Sequence, residues 1–416
     1  MAPLPSPLTL LPRFAFAALL ASTLVACGED RTPLPGGGGG GDASTAADGG
    51  TASDAGATDG GADAPDSGGG ATDGGGGATD AGGGATDAGS AAAIEVPVDV
   101  WTWVDFPSSR CDDGSPTGLG VRRGANADTL LLFLNGGGAC WDALTCFVLN
   151  TSTKGPFGAP EFAALGDLDI GIFRRSDRAN VFRDAHYVFV PYCTGDVHAG
   201  QNDASYATNG GMRTVNHRGH TNMLAYIARL RATFPDVAKV VVSGSSAGGF
   251  GAAFNYLAVR GAWPQAKVYL VDDSGPPLVG ETVPSFLIDA WYDSWKIGDI
   301  LDGLCGAACK RDLSLTFSAL ATIYPNDRLA LLSSLQDEVI RNYFTISGPQ
   351  FESGLRRLAT EVLDPQPNFK YFFVTGSSHT MLGSPAQFTT GGVNLQTWLE
   401  QQIDDDPAWR SVAPTR

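Results

Sequence analysis

One serine in this chain sits where local sequence can make it a nucleophile. The run Val240-Val241-Val242-Ser243 leads straight into Gly244-Ser245-Ser246-Ala247-Gly248-Gly249, a G-x-S-x-G pattern between a β-branched strand and a stretch able to form a helix. A strand entering a helix this way must turn sharply, and small flanking residues permit the turn while leaving Ser246 strained and exposed at the helix N-terminus. There the helix dipole and the Ala247 N–H can meet a developing oxyanion. Ser245 holds the x position and is not presented at the tip. A second glycine cluster, Gly136-Gly137-Gly138 after the apolar run Leu132-Phe133-Leu134-Asn135, lies about 110 residues upstream. It offers a backbone free of large side chains, as the other half of an oxyanion hole requires.

A serine nucleophile needs a base. The chain has five histidines, and in the order serine, acid, histidine only His379 follows Ser246. It stands in Gly376-Ser377-Ser378-His379-Thr380-Met381, just after an apolar run. His217 and His220 read as a surface pair at a helix N-terminus; no glutamate accompanies them in the spacing of a metalloprotease site. His186 begins a strand and reads as structural, and His198, at a strand end, is a candidate pocket residue. The acid must accept the imidazole Nδ1–H. Asp272 and Asp273 follow Val268-Tyr269-Leu270-Val271, Asp337 follows a second strand-like run, and pattern alone leaves the three open.

The elements that must position these groups alternate. Asp128–Asn135, His186–Tyr192, Lys239–Ser243, Lys267–Asp272 and Phe369–Thr375 read as buried strands, short apolar runs with turn signals. Asn222–Phe234, with Met223, Leu224, Ile227 and Leu230 at helical spacing, and Ala252–Arg260 read as helices. This predicts an α/β fold, a mostly parallel sheet with helices on both faces and chemistry at the carboxyl ends of the strands. Phe286, Trp291, Tyr292 and Trp295 have the spacing of a core helix and equally that of a lid or sugar platform.

Composition places this domain behind an export signal. Residues 1–27 hold one charge, Arg13, and an apolar run ending Leu24-Val25-Ala26-Cys27, which resembles the lipobox of bacterial lipoproteins with Cys27 as the lipidated residue. Gly28 follows, where the inner-membrane retention signal would need Asp, so an outer-membrane or cell-surface lipoprotein is expected. Residues 28–93 hold 23 glycines and eleven acids against one base, Arg31, and repeat Ala-Thr-Asp at Ala71, Ala78 and Ala85. With almost nothing to bury, this stretch is expected to be a disordered leash, about 45 Å in root-mean-square reach. Residues 94–416 form the remaining domain. Of the chain's net charge of −17, this domain keeps −8, and an acidic body without a basic run argues against nucleic acid as partner. The membrane would be met through the lipid anchor only.

Beyond Cys27 six cysteines remain, an even number suited to disulfides in an exported chain. Cys140 with Cys146 and Cys305 with Cys309 are natural local pairs, and Cys111 with Cys193 follows by elimination. None of the spacings is C-x-x-C, so no metal is expected, and no cofactor.

The set Cys111-Asp112-Asp113-Gly114, Asn135-Gly136-Gly137-Gly138-Ala139-Cys140 with Cys146, Pro191-Tyr192-Cys193-Thr194-Gly195-Asp196, Gly244-Ser245-Ser246-Ala247-Gly248-Gly249 and Ser378-His379 resembles the pectin acetylesterase family. The resemblance spans Cys111 to His379 and implies an α/β-hydrolase-like serine carboxylester hydrolase. It implies Ser246 as nucleophile, His379 as base, Asp337 as acid, and oxyanion donors at Gly138, Ala139 and Ala247; the family's bridges also match Cys140–Cys146 and Cys111–Cys193. Two positions depart from the family pattern. Ala139 replaces an aromatic residue and Asn135 a glutamate, both at the pocket mouth. The expected activity is removal of O-acetyl or other short acyl groups, from pectin or a related polysaccharide or from a small ester. The alternatives are an esterase for longer acyl chains and a catalytically inactive surface-binding lipoprotein.

Overall fold

The computed structural model of the protein describes residues 92–125 and 127–415. The expected leader, Cys27 and residues 28–91 of the leash lie outside the described residues. In chain order the strands longer than two residues are β1 (Thr102–Arg110), β2 (Pro116–Arg122), β3 (Thr129–Leu134), β4 (His186–Val190), β5 (Asn202–Thr208), β6 (Gly211–His217), β7 (Lys239–Ser245), β8 (Lys267–Asp273), β9 (Leu329–Ser334) and β10 (Phe369–Val374). Eight of them form a sheet in the order β1-β2-β4-β3-β7-β8-β9-β10, while β5 and β6 pair as a separate hairpin. From β4 through β10 neighbours run parallel; β1 and β2 add an antiparallel edge.

The central strands are apolar throughout because both faces are covered. Successive residues serve opposite faces: Val240 and Val242 pack in one cluster with Met223, Ile227 and Phe254, whereas Val241 packs in the other with Phe372, Trp398 and Leu399. Helices Gly219–Thr233 and Ala247–Ala262 cover the first face, and helix Leu395–Ile403 covers the second. Between β8 and β9 the chain inserts four helices, Ser285–Trp295, Gly298–Cys305, Ala307–Arg311 and Leu315–Ile323. Among the described residues no helix is long and apolar enough to cross a membrane.

The α/β reading holds, and the five expected strands end within two residues of their expected bounds. Helix Ala252–Arg260 is only the middle of a longer one that begins directly after Ser246. The edge strand β1 and the hairpin β5–β6 carry too many exposed positions to read as buried runs, and β2, though buried from Thr117 to Val121, holds Gly118 and Gly120 where an apolar run would be read. All three expected disulfides form, with Cα separations of 4.9 Å for Cys111–Cys193, 5.0 Å for Cys140–Cys146 and 5.4 Å for Cys305–Cys309.

Candidate active site

Strand β7 delivers Ser246 to the carboxyl edge of the sheet. Its backbone stands at φ 60°, ψ −123°, a conformation that side-chain-bearing residues rarely adopt. The glycines beside it explain the motif: a Cβ on Gly244 would overlap the carbonyl oxygens of Gly248 and Leu134, and one on Gly248 would strike Leu134 again. The helix can start this close to β3 and β7 only with glycine at both positions. Ser246 is 8% exposed, and its Oγ makes no hydrogen bond among the described residues. At the first turn of the helix the Ala247 N–H is free of intrahelical partners.

The glycine loop after β3 backs directly onto this serine. A Cβ on Gly136 would come 3.0 Å from Ser246 Cβ and 2.6 Å from Ser245 O. Gly138, at φ 77°, leaves room for Tyr343 and Thr151, and its N–H has no acceptor among the described residues. Ala139 differs, because its N–H donates to Thr151 O at 3.2 Å. Of the three expected donors along this cavity, the N–H groups of Gly138 and Ala247 are therefore free among the described residues, and that of Ala139 is already engaged.

Two side chains hold the loop by its carbonyls. Tyr192 Oη donates to Gly138 O at 2.7 Å, and His198 Nε2 donates to Asn135 O at 2.8 Å. Burial pushes His198 down to about 4, so the ring is neutral at pH 7. His198 therefore lies behind the loop, and its neighbour Val197 lines the pocket instead. The loop Thr194–Gly200 is itself tied by fully buried Asp196, which accepts N–H bonds from His198, Gly200 and Gly219; desolvation raises this acid to about 6.

His379 follows β10 and is half-buried. Its Nδ1 lies 3.0 and 2.9 Å from the two oxygens of Asp337, which is fully buried. A carboxylate only accepts, so Nδ1 carries the proton and Nε2 presents its lone pair. Asp337 also caps helix Glu338–Tyr343, its Oδ1 accepting from the N–H groups of Val339 and Ile340 at 3.0 Å each. Asp272 and Asp273 make no hydrogen bond to the imidazole. Asp272 accepts the Gly275 N–H at 2.8 Å and leaves Oδ2 unpartnered, and burial drives its pKa well above the carboxylate range. Asp273 accepts backbone N–H groups of the loop beyond His379.

Beside the serine opens a cavity lined on one side by Gly138, Ala139, Ser246 and Ala247 and elsewhere almost wholly by apolar side chains. Phe250 and Phe254 come from the helix behind Ser246, Trp291 and Trp295 from the insertion, and Ile340 and Phe344 from the segment after Asp337. Trp291 and Trp295 stack with ring centroids 5.6 Å apart, so they are at once core and cavity wall, while Phe286 stays exposed. The wall is bolted to the chain just after the glycines, where Trp295 Nε1–H donates to Cys140 O at 2.9 Å and Ser294 Oγ to Trp141 O at 2.6 Å, and to the end of the Thr194–Gly200 loop, where the Gln201 N–H donates to Trp295 O at 2.9 Å. Phe250 and Phe254, and Trp291 and Trp295, are four apart on their helices, a spacing visible in sequence that does not say which face meets the serine.

The expected surface pair His217 and His220 is not one. His217 is fully buried, with Nδ1 on Thr194 O and Nε2 on Tyr206 Oη, both at 2.9 Å, and His220 Nδ1 bonds Asn255 Oδ1 at 2.7 Å. The hairpin β5–β6 folds them inward. His217 does gather with Cys140 and Cys146, but the two thiols are joined to each other and offer no thiolate to a metal.

Residues 96–279 match the family model described as Pectinacetylesterase. Over 158 residues the chain is 30% identical to the palmitoleoyl-protein carboxylesterase NOTUM of Schmidtea mediterranea. That match covers 36% of this chain and 29% of the relative, less than a third of its length. In fold the chain is similar to the Wnt deacylase Notum from Drosophila, with a TM-score of 0.56 at 16% identity, covering 76% of this chain and 96% of that one.

Proposed function

We propose that this chain, whose residues 96–279 match the Pectinacetylesterase family model, is a serine carboxylesterase in which Ser246, His379 and Asp337 form the catalytic triad. His379 Nε2 takes the Ser246 proton as Oγ attacks the ester carbonyl, and Asp337 steadies the resulting imidazolium. The oxyanion is received by the N–H groups of Gly138 and Ala247, with Ala139 contributing only by giving up Thr151. His379 then returns the proton to the departing alcohol, and water, activated by the same base, releases the acid.

The cavity carries the reading of the substrate. An acetyl group has one methyl to bury, and the surface beside Ser246 presents Trp141, Phe250, Phe254, Trp291, Trp295 and Phe344. Such a wall suits an apolar acyl chain longer than acetyl, and the relative from Schmidtea mediterranea is named for a palmitoleoyl ester. Deacetylation of pectin or a related polysaccharide is the second reading, favoured by the family's description. In this proposal the domain of residues 94–416 is exported by its leader and held at the surface through Cys27 on the leash 28–93.

Hydrolysis of p-nitrophenyl acetate, butyrate and octanoate by the full chain, beside Ser246→Ala, tests the proposal. Each buried methylene is worth ~0.8 kcal/mol, so kcat/KM is expected to rise roughly tenfold from acetate to butyrate and to vanish in the variant. Preference for acetate would transfer the conclusion to the second reading. A folded protein silent on all three esters would overturn the esterase proposal in favour of a binding lipoprotein.

A further inference from the structure

Asp273 is the last residue of β8 and stands opposite Ser245 in the parallel register. It is fully buried, and every polar group it reaches belongs to the two segments that carry the nucleophile and the base, or to Ser274 beside it. Its backbone carbonyl accepts the Ser246 N–H at 2.7 Å. Its carboxylate accepts Ser245 Oγ–H at 2.8 Å, the Met381 N–H at 3.0 and 2.9 Å, and the Leu382 N–H at 3.0 Å. Ser274 extends the grip: its Oγ accepts the Thr380 N–H at 3.2 Å and donates to Asp273 at 3.3 Å. The three N–H groups that follow His379 thus all end on Asp273 and Ser274.

The loop needs such a hold. Thr380 lies at φ 65°, a left-handed conformation unfavourable for a side-chain-bearing residue, which persists only where surroundings over-determine it. On the upstream side the loop is tied to the helix of Asp337, through Gln336 N–H to Gly376 O at 3.0 Å and Glu338 N–H to Ser377 O at 3.1 Å. Downstream, Asp273 and Ser274 are its ties to the strand edge of the nucleophile. Burial raises the Asp273 pKa, and the hydrogen bonds to the carboxylate and the nearby His379 oppose that rise.

We infer that Asp273 is the positioning residue of the site, a buried carboxylate that fixes the loop bearing His379 against the strand bearing Ser246 and so sets the base-to-nucleophile geometry. The inference rests on the serine-esterase reading. Asp337 orients the imidazole ring; Asp273 orients the backbone that carries it.

The test compares the full chain with Asp273→Asn, Ser274→Ala and Ser246→Ala, using p-nitrophenyl butyrate under burst conditions. The Asp273→Asn side chain would keep one acceptor but turn an amide N–H₂ toward the Met381 and Leu382 donors. A displacement of about 1 Å at a reacting group costs about 100-fold, so acylation and kcat are expected to fall by about 30- to 100-fold in Asp273→Asn, with KM within about twofold and a full burst amplitude. Burst amplitude reduced at an unchanged rate constant marks a merely destabilised protein and overturns the inference, as does unchanged kcat. Should Asp273→Asn fail to fold, Ser274→Ala decides: it removes the Thr380 acceptor together with the hydroxyl that donates to Asp273, and kcat lowered about fivefold at constant KM supports the inference whereas wild-type kcat refutes it. If Ser246→Ala retains wild-type turnover, the serine-esterase reading falls and takes this inference with it; if that variant is dead while Asp273→Asn is fully active, only the inference falls.

Discussion

Asp337→Asn separates two tasks that the structure gives to one side chain. In the wild type Oδ1 caps the helix Glu338–Tyr343 at 3.0 Å from both Val339 N and Ile340 N, and the carboxylate meets His379 Nδ1 at 2.9–3.0 Å. Asparagine can keep its oxygen on the two N–H groups, which turns its amide nitrogen toward the imidazole. His379 must then place its proton on Nε2, where it can no longer receive one from Ser246. In a serine triad this wrong tautomer costs about 10⁴-fold in kcat, about 5.4 kcal/mol of transition-state stabilisation. Stability should barely change, because the cap survives. Asp337→Ala loses both, so it should be equally inactive and also about 1 kcal/mol less stable than Asp337→Asn. Turnover of p-nitrophenyl butyrate and urea unfolding of the three proteins give both numbers. More than a tenth of wild-type kcat in Asp337→Asn would refute the tautomer argument, and equal stability of the two variants would refute the capping role.

Three further outcomes are expected. Ser246→Gly and Ser246→Ala should both be inactive, but glycine relieves the positive φ and should leave the protein about 1 kcal/mol more stable than alanine does; a lower melting temperature for the glycine variant would contradict the strain at Ser246. Replacing Cys111 and Cys193 together by alanine opens a bridge between residues 82 apart in sequence and should cost about 2–4 kcal/mol in urea unfolding, with a loss under about 1 kcal/mol refuting it. His186, far from the serine, accepts the Gly124 N–H at 3.0 Å and is pushed by burial down to about 4. The unfolded chain takes up this proton near pH 6.5 and the folded chain only near 4, so the wild type loses stability as pH falls through that window. Relative to His186→Gln, the loss should reach on the order of 2–3 kcal/mol by pH 4, and a pH-independent difference would contradict a neutral buried imidazole.

Where local chemistry determined the outcome, the sequence was readable. Val240–Ser243 and Leu130–Leu134 announce buried parallel strands because both their faces are covered, and the glycines around Ser246 announce the turn because nothing larger fits there. His379 was picked out by chain order and by its place just after an apolar run, and the structure sets it after β10, against Asp337. Asp337 was not: three acids follow strands, and which reaches the imidazole depends on how far β9 and its following turn carry each one. Only the family resemblance pointed to Asp337, and the hydrogen bonds to His379 now distinguish it from Asp272 and Asp273. The state of Ala139 was equally hidden, since its N–H is engaged by Thr151, twelve residues along the chain. His217 and His220 were misjudged for the same kind of reason. Their neighbours Thr194, Tyr206 and Asn255 are brought up by the loop after β4, by the hairpin β5–β6 and by the helix after Ser246, which local periodicity does not reveal.

The bolt between Trp295 and the carbonyl of Cys140 links the aromatic wall to the glycine loop, which under the proposed function would join the acyl site to the loop of the Gly138 donor. On that function, a chain that fits the wall would leave the loop in register with Ser246, whereas one that strained the wall would drag the loop with it. Discrimination among acyl groups should therefore be written into turnover more than into occupancy, with poor substrates filling the cavity and reacting slowly. Such an enzyme would measure its substrate with the same piece of backbone that performs the catalysis, so selectivity and rate could not be tuned apart without first cutting that link.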